Sequence, residues 1–320
     1  MGAGDSGSEN MAVRKKGIFF TATAIVLSIV IILSFKVYYG DRARDHNSAV
    51  STRILTMNNF VKDAEQDLKN GIYIAGFRSF LSMQEKIADT GEYIPDVGSA
   101  FGELFLNGTI DGQGMGLMQD STFTEWADRI SIEAAKTGIK TSFKVNDIGI
   151  SQSSPWRINI DVNINFTAED IKGTSRWEKE QTLVQSIPII GFEDPLYVIN
   201  SLGRITNAIE ITNLTPFVQG GDVGNLVMHM NGSLYIESAS APSYLMRLEG
   251  NLGNSSQGIE SLANLQNFIA QGLGIEARSA VDYIYFGEQI TNNHRINNTP
   301  YWFYIDEGHL EFYGAQNVTI

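Results

Sequence analysis

Four histidines, His46, His229, His294 and His309, are the chain's whole supply of imidazole, and they stand singly. No HExxH and no pair at helical spacing exists, so zinc hydrolysis has no ligand set to start from. With no cysteine, thiolate metal sites, cysteine nucleophiles and disulfides are excluded together. His229, within Val227-Met228-His229-Met230, alternates with apolar neighbours and is expected on the wet face of a strand. His309 is expected on the surface of a hairpin. The run Gly253-Asn254-Ser255-Ser256-Gln257-Gly258 misses the GxSxG nucleophile elbow by one residue and reads as a loop. Glu193 and Asp194 stand adjacent before Pro195, whereas acid–base work needs two carboxylates facing each other across a cleft. As calcium ligands they lack EF-hand spacing. Asp111-Gly112-Gln113-Gly114-Met115-Gly116 has neither GxGxxG spacing nor a GK[ST] ending, so it reads as a loop or hairpin tip. These residue types assign no catalytic, cofactor-binding or metal position, and the chain reads as a non-enzyme with no cofactor.

Modification chemistry is written more plainly. Seven N-x-S/T sequons, at Asn107, Asn165, Asn213, Asn231, Asn254, Asn297 and Asn317, are candidate glycosylation sites of an exterior glycoprotein. All lie beyond Gly17–Phe35, GIFFTATAIVLSIVIILSF, a run of 19 residues without a charge. A membrane span needs about 20 apolar residues to cross about 30 Å of hydrocarbon. Val37, Tyr38 and Tyr39 extend the run with interfacial residues, and the expected span is 17–39. Its core is longer than a secretory signal's, and the bulky Phe35-Lys36-Val37-Tyr38-Tyr39 offers no small-x-small cleavage site. Arg14, Lys15 and Lys16 place the short head, 1–16, in the cytoplasm and the bulk of the chain outside.

Charge agrees with that compartment. The first 40 residues carry four basic and two acidic side chains against a total of −13, so residues 41–320 carry −15. An acidic exterior repels phosphate backbones, and nucleic acid is excluded as a partner. The expected partners are the lipid bilayer, through Gly17–Phe35, and other copies or envelope proteins, through a helical stalk.

The elements follow from periodicity. Residues 40–90 hold no proline and carry Ile54, Met57, Val61, Ala64 and Leu68 at helical spacing, a stalk that lies on the head, with an end or kink expected at Asn70-Gly71. Thr122 with Glu125 forms a capping box for a helix at 123–136. The period then becomes two. Phe143–Ile150 (with a bulge near Asp147), Trp156–Phe166 and Trp177–Ile187 predict an antiparallel meander with one wet face. Pro188 and Pro195 bracket a boundary. Beyond it, Ile205–Leu214, Leu226–Glu237 and Val281–Phe286 read as strands, Tyr301–Ile305 with His309–Tyr313 as a hairpin, and 244–248 and 259–270 as helices. The fold class is therefore α+β: an anchor continuing into a stalk, then an α+β part at 91–190 and a mainly β part at 191–320, two domains or one continuous head.

Lys15-Lys16-Gly17, followed at once by an apolar helix, resembles the processing site of archaeal type IV pilin-like precursors, which makes Lys16–Gly17 a candidate cleavage site. The Glu that many bacterial pilins carry five residues into the mature helix is absent, with Thr21 and Ala22 in that region. Together with MNNFVKDAEQDL at 57–68, IPIIGFEDPLY at 187–197 and SYLMRLEGN at 243–251, this stretch is similar to uncharacterised archaeal membrane-anchored surface proteins with a pilin-like N-terminus. The resemblance implies a single-pass surface protein with a structural or adhesive head, including the case of a pilin-like subunit, and carries no site residues. The competing expectation is a membrane-tethered glycan-binding domain or hydrolase, with Tyr301, Trp302, Tyr304 and Tyr313 as a stacking surface for sugars.

Overall fold

The computed structural model describes residues 7–287 and 292–320, with side chains at 25–36, 50–287 and 292–320. One helix, α1, runs from Gly7 to Thr90 and passes through Asn70-Gly71 without ending. From Met57 onward a single stripe of it is buried: Met57, Val61, Ala64, Leu68, Ile72, Ala75, Phe80, Met83 and Ile87. The steps of three to five residues keep these side chains on one face.

That face meets three elements. Helix α2, Val97–Asn107, starts at Asp96, whose carboxylate accepts the Ser99 N–H, and ends at Gly108 in the left-handed region. It lies before the glycine run Asp111–Gly116, in a segment to which the sequence assigned no element. Strands β1, Thr109–Ile110, and β2, Gln113–Gly114, make the expected hairpin tip. Helix α3, Phe123–Lys136, carries the complete Thr122–Glu125 capping box. Strands β3 (Ile139–Ser154), β4 (Arg157–Asp170) and β5 (Arg176–Pro188) form an antiparallel sheet in that order, with a register shift between Val145 and Asp147. Ile158, Ile160, Val162, Ile164 and Phe166 on β4 are fully buried against the helices, while the residues between them face outward.

Close approach of α1 depends on two residues without side chains. A Cβ on Gly71 would stand 2.6 Å from Trp126 Cδ1, and one on Gly76 would overlap Ile160 Cδ1. The α+β class is thus as expected, and the packed half of α1 belongs to the head's core. Where it leaves the head, Arg53 holds it. Its guanidinium donates to Asp170 Oδ1 (Nη2, 2.7 Å), to the Gly138 carbonyl (2.7 Å) and to the Thr137 carbonyl (3.1 Å).

The remainder departs from the expected strands. Helix α4 is Pro195–Asn200, and Leu226–Glu237 divides into α5 (Gly224–Gly232) and β6 (Tyr235–Glu237), with Ser233 between them in the left-handed region. The helix α6, Tyr244–Leu248, is capped by Ser243 as expected. Residues 259–270 begin as strand β7, Ile259–Ser261, before α7, Leu265–Ala270. Val281–Phe286 is helix α8, Asp282–Tyr285, because a short apolar run does not by itself distinguish a buried strand from a buried helix. The expected hairpin is absent. Strand β8, Asn293–Arg295, pairs with β9, Tyr304–Asp306, and Asp306 then accepts the Gly308 N–H to open a 3-10 turn at 307–309. Ile205–Leu214 contributes only isolated bridges, at Ala208 and Ile211.

These short pieces enclose a second core around Leu226, Met230, Phe268, Ile284, Trp302, Phe303 and Tyr313. Phe192 belongs to the first core, its ring 5.3 Å from Phe77, 6.2 Å from Phe80 and 5.8 Å from Tyr244, which seats α6 against α1. Gly258, just before β7, would drive a Cβ into the Ala241 and Ser238 carbonyls. Gly258→Ala is expected to cost at least 1–3 kcal/mol, about the range for overpacking. Gly102→Ala, in open space within α2, should instead stabilise by about 0.5–1 kcal/mol. Thermal melts of both variants check the contrast.

Candidate functional site

The groups with chemical potential are gathered around β7, whose three residues are all buried. Arg247 of α6 is fully buried with Asp194, the cap of α4, and Asp282, the first residue of α8. Its Nη1 lies 2.5 Å from Asp194 Oδ2 and 2.9 Å from Asp282 Oδ2, and its Nη2 donates to the Ile259 carbonyl. Ser261 donates its N–H (3.1 Å) and its hydroxyl (2.8 Å) to Asp282 Oδ2. Tyr235 donates to Asp194 Oδ2 at 2.8 Å. Burial pushes the Asp194 carboxyl up, against the pull of the guanidinium, and Asp282 adds to the rise. Burial also works against the Arg247 cation, but Asp194 and Asp282 outweigh it and hold the charge in place.

The middle residue of β7, Glu260, faces a second network. Tyr313 donates to Glu260 Oε1 at 2.8 Å, and His309 Nε2 lies 3.4 Å from Glu260 Oε2 and 3.1 Å from the Tyr283 hydroxyl. His309 Nδ1 meets Asp306 Oδ1 at 2.8 Å, and Ser279 donates to Asp306 Oδ2 at 2.7 Å. Burial alone would depress the His309 pKa. Its bonds to Asp306 and Glu260 outweigh that and raise it to about 10, so the ring is a buried imidazolium.

His229, on α5, is fully buried with no hydrogen-bond partner on either ring nitrogen. It packs on Phe217 (4.7 Å between centroids) and Tyr313 (6.0 Å), and burial lowers its pKa to about 4. Neither His229 nor His309 is therefore on a wet surface as the alternation of neighbours had suggested. α5 replaces the expected strand, and Asp306 and Glu260 draw His309 inward. His294 lies at the surface against Glu307, and the His46 side chain lies outside the described residues.

An Asp-His pair beside a carboxylate has the parts of a proton relay, but catalysis needs an opening to substrate. Four clefts among the described residues are lined by other residues. Among the described residues no group of three His, Asp or Glu could hold a metal ion. Both networks are buried, and opposite charges face each other in each, which is the chemistry of compensated buried charge. Asp194 is a buried counter-ion in this sense, and Glu193, its half-buried neighbour, bridges to Ala208 instead.

One cleft, of about 300 Å³, does gather carboxylates, among them Asp96, Glu103 and Asp111. Asp96 accepts from the Ser99 backbone and hydroxyl, and Glu103 accepts from the Thr109 hydroxyl and the Gly112 and Asp111 N–H groups. Those bonds hold both below the usual carboxylate range. A glycosidase acid needs the opposite shift.

Of the seven sequons, Asn107, Asn213, Asn231, Asn254, Asn297 and Asn317 are exposed, and Asn165 is half-buried in β4. Lys16 and Gly17 fall where side chains lie outside the described residues. No protein-family model, curated protein or solved structure matches the chain.

The buried groups set the response to pH. The unfolded His229 takes up a proton near 6.5 and the folded one only near 4. Stability present above pH 6.5 is thus lost as pH falls toward 4, by about 3 kcal/mol. His309 acts with the opposite sign, its contribution complete below pH 6.5 and lost as pH rises toward 10. Denaturant melts at pH 4.5, 5.5 and 7 should show His229→Phe losing markedly less stability than the unaltered chain. An equal loss would mean that another group governs the acid limb. Arg247→Ala, which strands two carboxylates, is expected to cost about 3–5 kcal/mol.

Proposed function

We propose that the protein is a single-pass membrane-anchored surface protein, its N-terminus cytoplasmic and its head displayed outside the cell in a structural or adhesive role, with assembly as a pilin-like subunit as one form of that role. The observation that carries this reading is the surface of α1 between Ile25 and Phe35. Ile25, Val26, Leu27, Ile29, Val30, Ile31, Ile32, Leu33 and Phe35 are each 47–61% exposed and lie on every side of the helix. A helix apolar all round is at home in lipid or inside a bundle, not in water. Among the described residues no helix is long and apolar enough to cross a membrane. The side chains described at 25–36 cover only part of the run Gly17–Phe35, and those of its first eight residues, with those of Val37, Tyr38 and Tyr39, lie outside the described ones.

The exposed sequons and the absence of cysteine fit a head stabilised by packing and used outside the cell. Sugar stacking fits less well, because Trp302 and Tyr313 are buried and only Tyr301 stands well clear of the surface. Carbonate washing of native membranes should leave the protein in the pellet, and protease added outside intact cells should remove the head. Release by carbonate would end the anchor reading. Mass spectrometry of the mature N-terminus decides the pilin-like form. A chain starting at or next to Gly17 supports processing, and an intact Lys15-Lys16 rules it out.

A further inference from the structure

We propose that copies of this protein pack side by side in the membrane, each pressing one ridge of its α1 into the groove between α1 and α3 of its neighbour. The proposal rests on the anchor reading, which holds the copies parallel and level. The groove is a cleft of about 490 Å³. Its floor is Phe60, Ala64, Trp126 and Ile130, and on its α1 rim stand Asp63 and Asp67, both exposed and without an ion-pair partner among the described residues.

The ridge lies elsewhere on the same helix. Leu55, Lys62, Lys69 and Tyr73 follow one another at seven, seven and four residues and so share a line along α1. Leu55 is 61% exposed and Tyr73 38%, and neither lysine has an ion-pair partner among the described residues. At about 100° per residue, this line sits about 150° around the helix from the groove residues 60, 63, 64 and 67.

Three physical points make a second copy the occupant. Level copies bring Lys62 and Lys69 within two residues of the height of Asp63 and Asp67, about 3 Å of rise. Steps of seven residues suit a near-parallel crossing of about 20°, which anchors in one bilayer impose. Ridge and groove lie on opposite flanks of α1, so the contact is heterologous and repeats along a row or ring. A two-fold contact of ridge on ridge would set Lys62 and Lys69 against their own copies, where like charges repel.

The chain has no cysteine, which makes a cross-linking test clean. Ser51, exposed, sits beside the ridge one half-turn from Arg53, and Arg53 bonds the carbonyl of Thr137, an exposed residue of the groove. Full-length Ser51→Cys and Thr137→Cys chains are mixed in lipid vesicles, oxidised and run without reductant. The expected product is the mixed dimer, and a ladder when one chain carries both cysteines. Lys62→Glu with Lys69→Glu on the Ser51→Cys chain should lower the yield at least tenfold, and Asp63→Lys with Asp67→Lys on the Thr137→Cys chain should restore it. Cross-links between like cysteines only, a yield indifferent to charge, or no cross-link in vesicles that retain the protein would each overturn the proposal. So would a Thr137→Cys thiol shielded from maleimide without any chain-to-chain product, which would give the groove to another partner. Loss of the protein from carbonate-washed vesicles marks failure of the anchor reading itself, and the proposal falls with it.

Discussion

A guanidinium taken fully out of water dictates the second half of the head. Arg247 is paired at both terminal nitrogens, and what surrounds it comes from four separate segments: the cap of α4, strand β7 and the first turn of α8 accept its hydrogen bonds, and the Tyr235 ring of β6 lies 5.8 Å from it. None of those segments exceeds six residues, and none could hold its conformation alone. Their arrangement is the one that brings two carboxylates and a carbonyl to the terminal nitrogens of the cation. Strand β7 is the meeting point, since Ile259 accepts from Arg247 and Ser261 donates to Asp282 while Glu260 turns to His309 and Tyr313. Three consecutive buried residues thus tie α6 and α8 to the C-terminal turn.

This explains which parts were legible in the sequence. The meander and α3 were readable because their order is local. Ile158 to Phe166 alternate, Thr122 and Glu125 cap, and the shift near Asp147 interrupts an otherwise regular strand. Nothing local announces Asp282 as a counter-ion or His309 as a buried cation. Their partners stand 35 residues away at Arg247 and 49 away at Glu260, and only the closed fold brings them together. The misread helix α8 has the same origin, because a four-residue element carries too little periodicity to declare its type. Two polar residues could have raised a flag. Asp194 is followed by the apolar Pro195-Leu196-Tyr197, and Arg247 lies among the apolar residues of SYLMRL, where an unpaired charge would be costly.

The first half of the head answers a different constraint, since α1 has to serve two surroundings in one unbroken helix. Above Met57 it shows the core a stripe, and Gly71 and Gly76 let that stripe approach Trp126 and Ile160 closely. Between Ile25 and Phe35 it has no polar side to show to water. Arg53 stands between these regimes and fastens α1 to two adjoining turns at one end of the sheet, through Asp170 and the Thr137 and Gly138 carbonyls. A pull on the N-terminal part of α1 therefore reaches the sheet at Arg53 before it reaches the buried stripe.

The same helix sets which surfaces are left for contact. With one face given to the core, its flanks carry the α1–α3 groove on one side and the lysine-bearing ridge on the other. The exposed sequons fall away from both. Asn213, Asn231, Asn254, Asn297 and Asn317 all belong to the second half of the head, and Asn107 ends α2. Glycans at these positions would cover the part built around Arg247 and leave the flanks of α1 bare. A bulky, hydrated modification excludes protein contact where it stands, so selection for lateral packing would keep sequons from the flanks. On the anchor reading the division of labour would follow the two cores: the α1–sheet half would set position and neighbours, and the half held by buried charge would face outward.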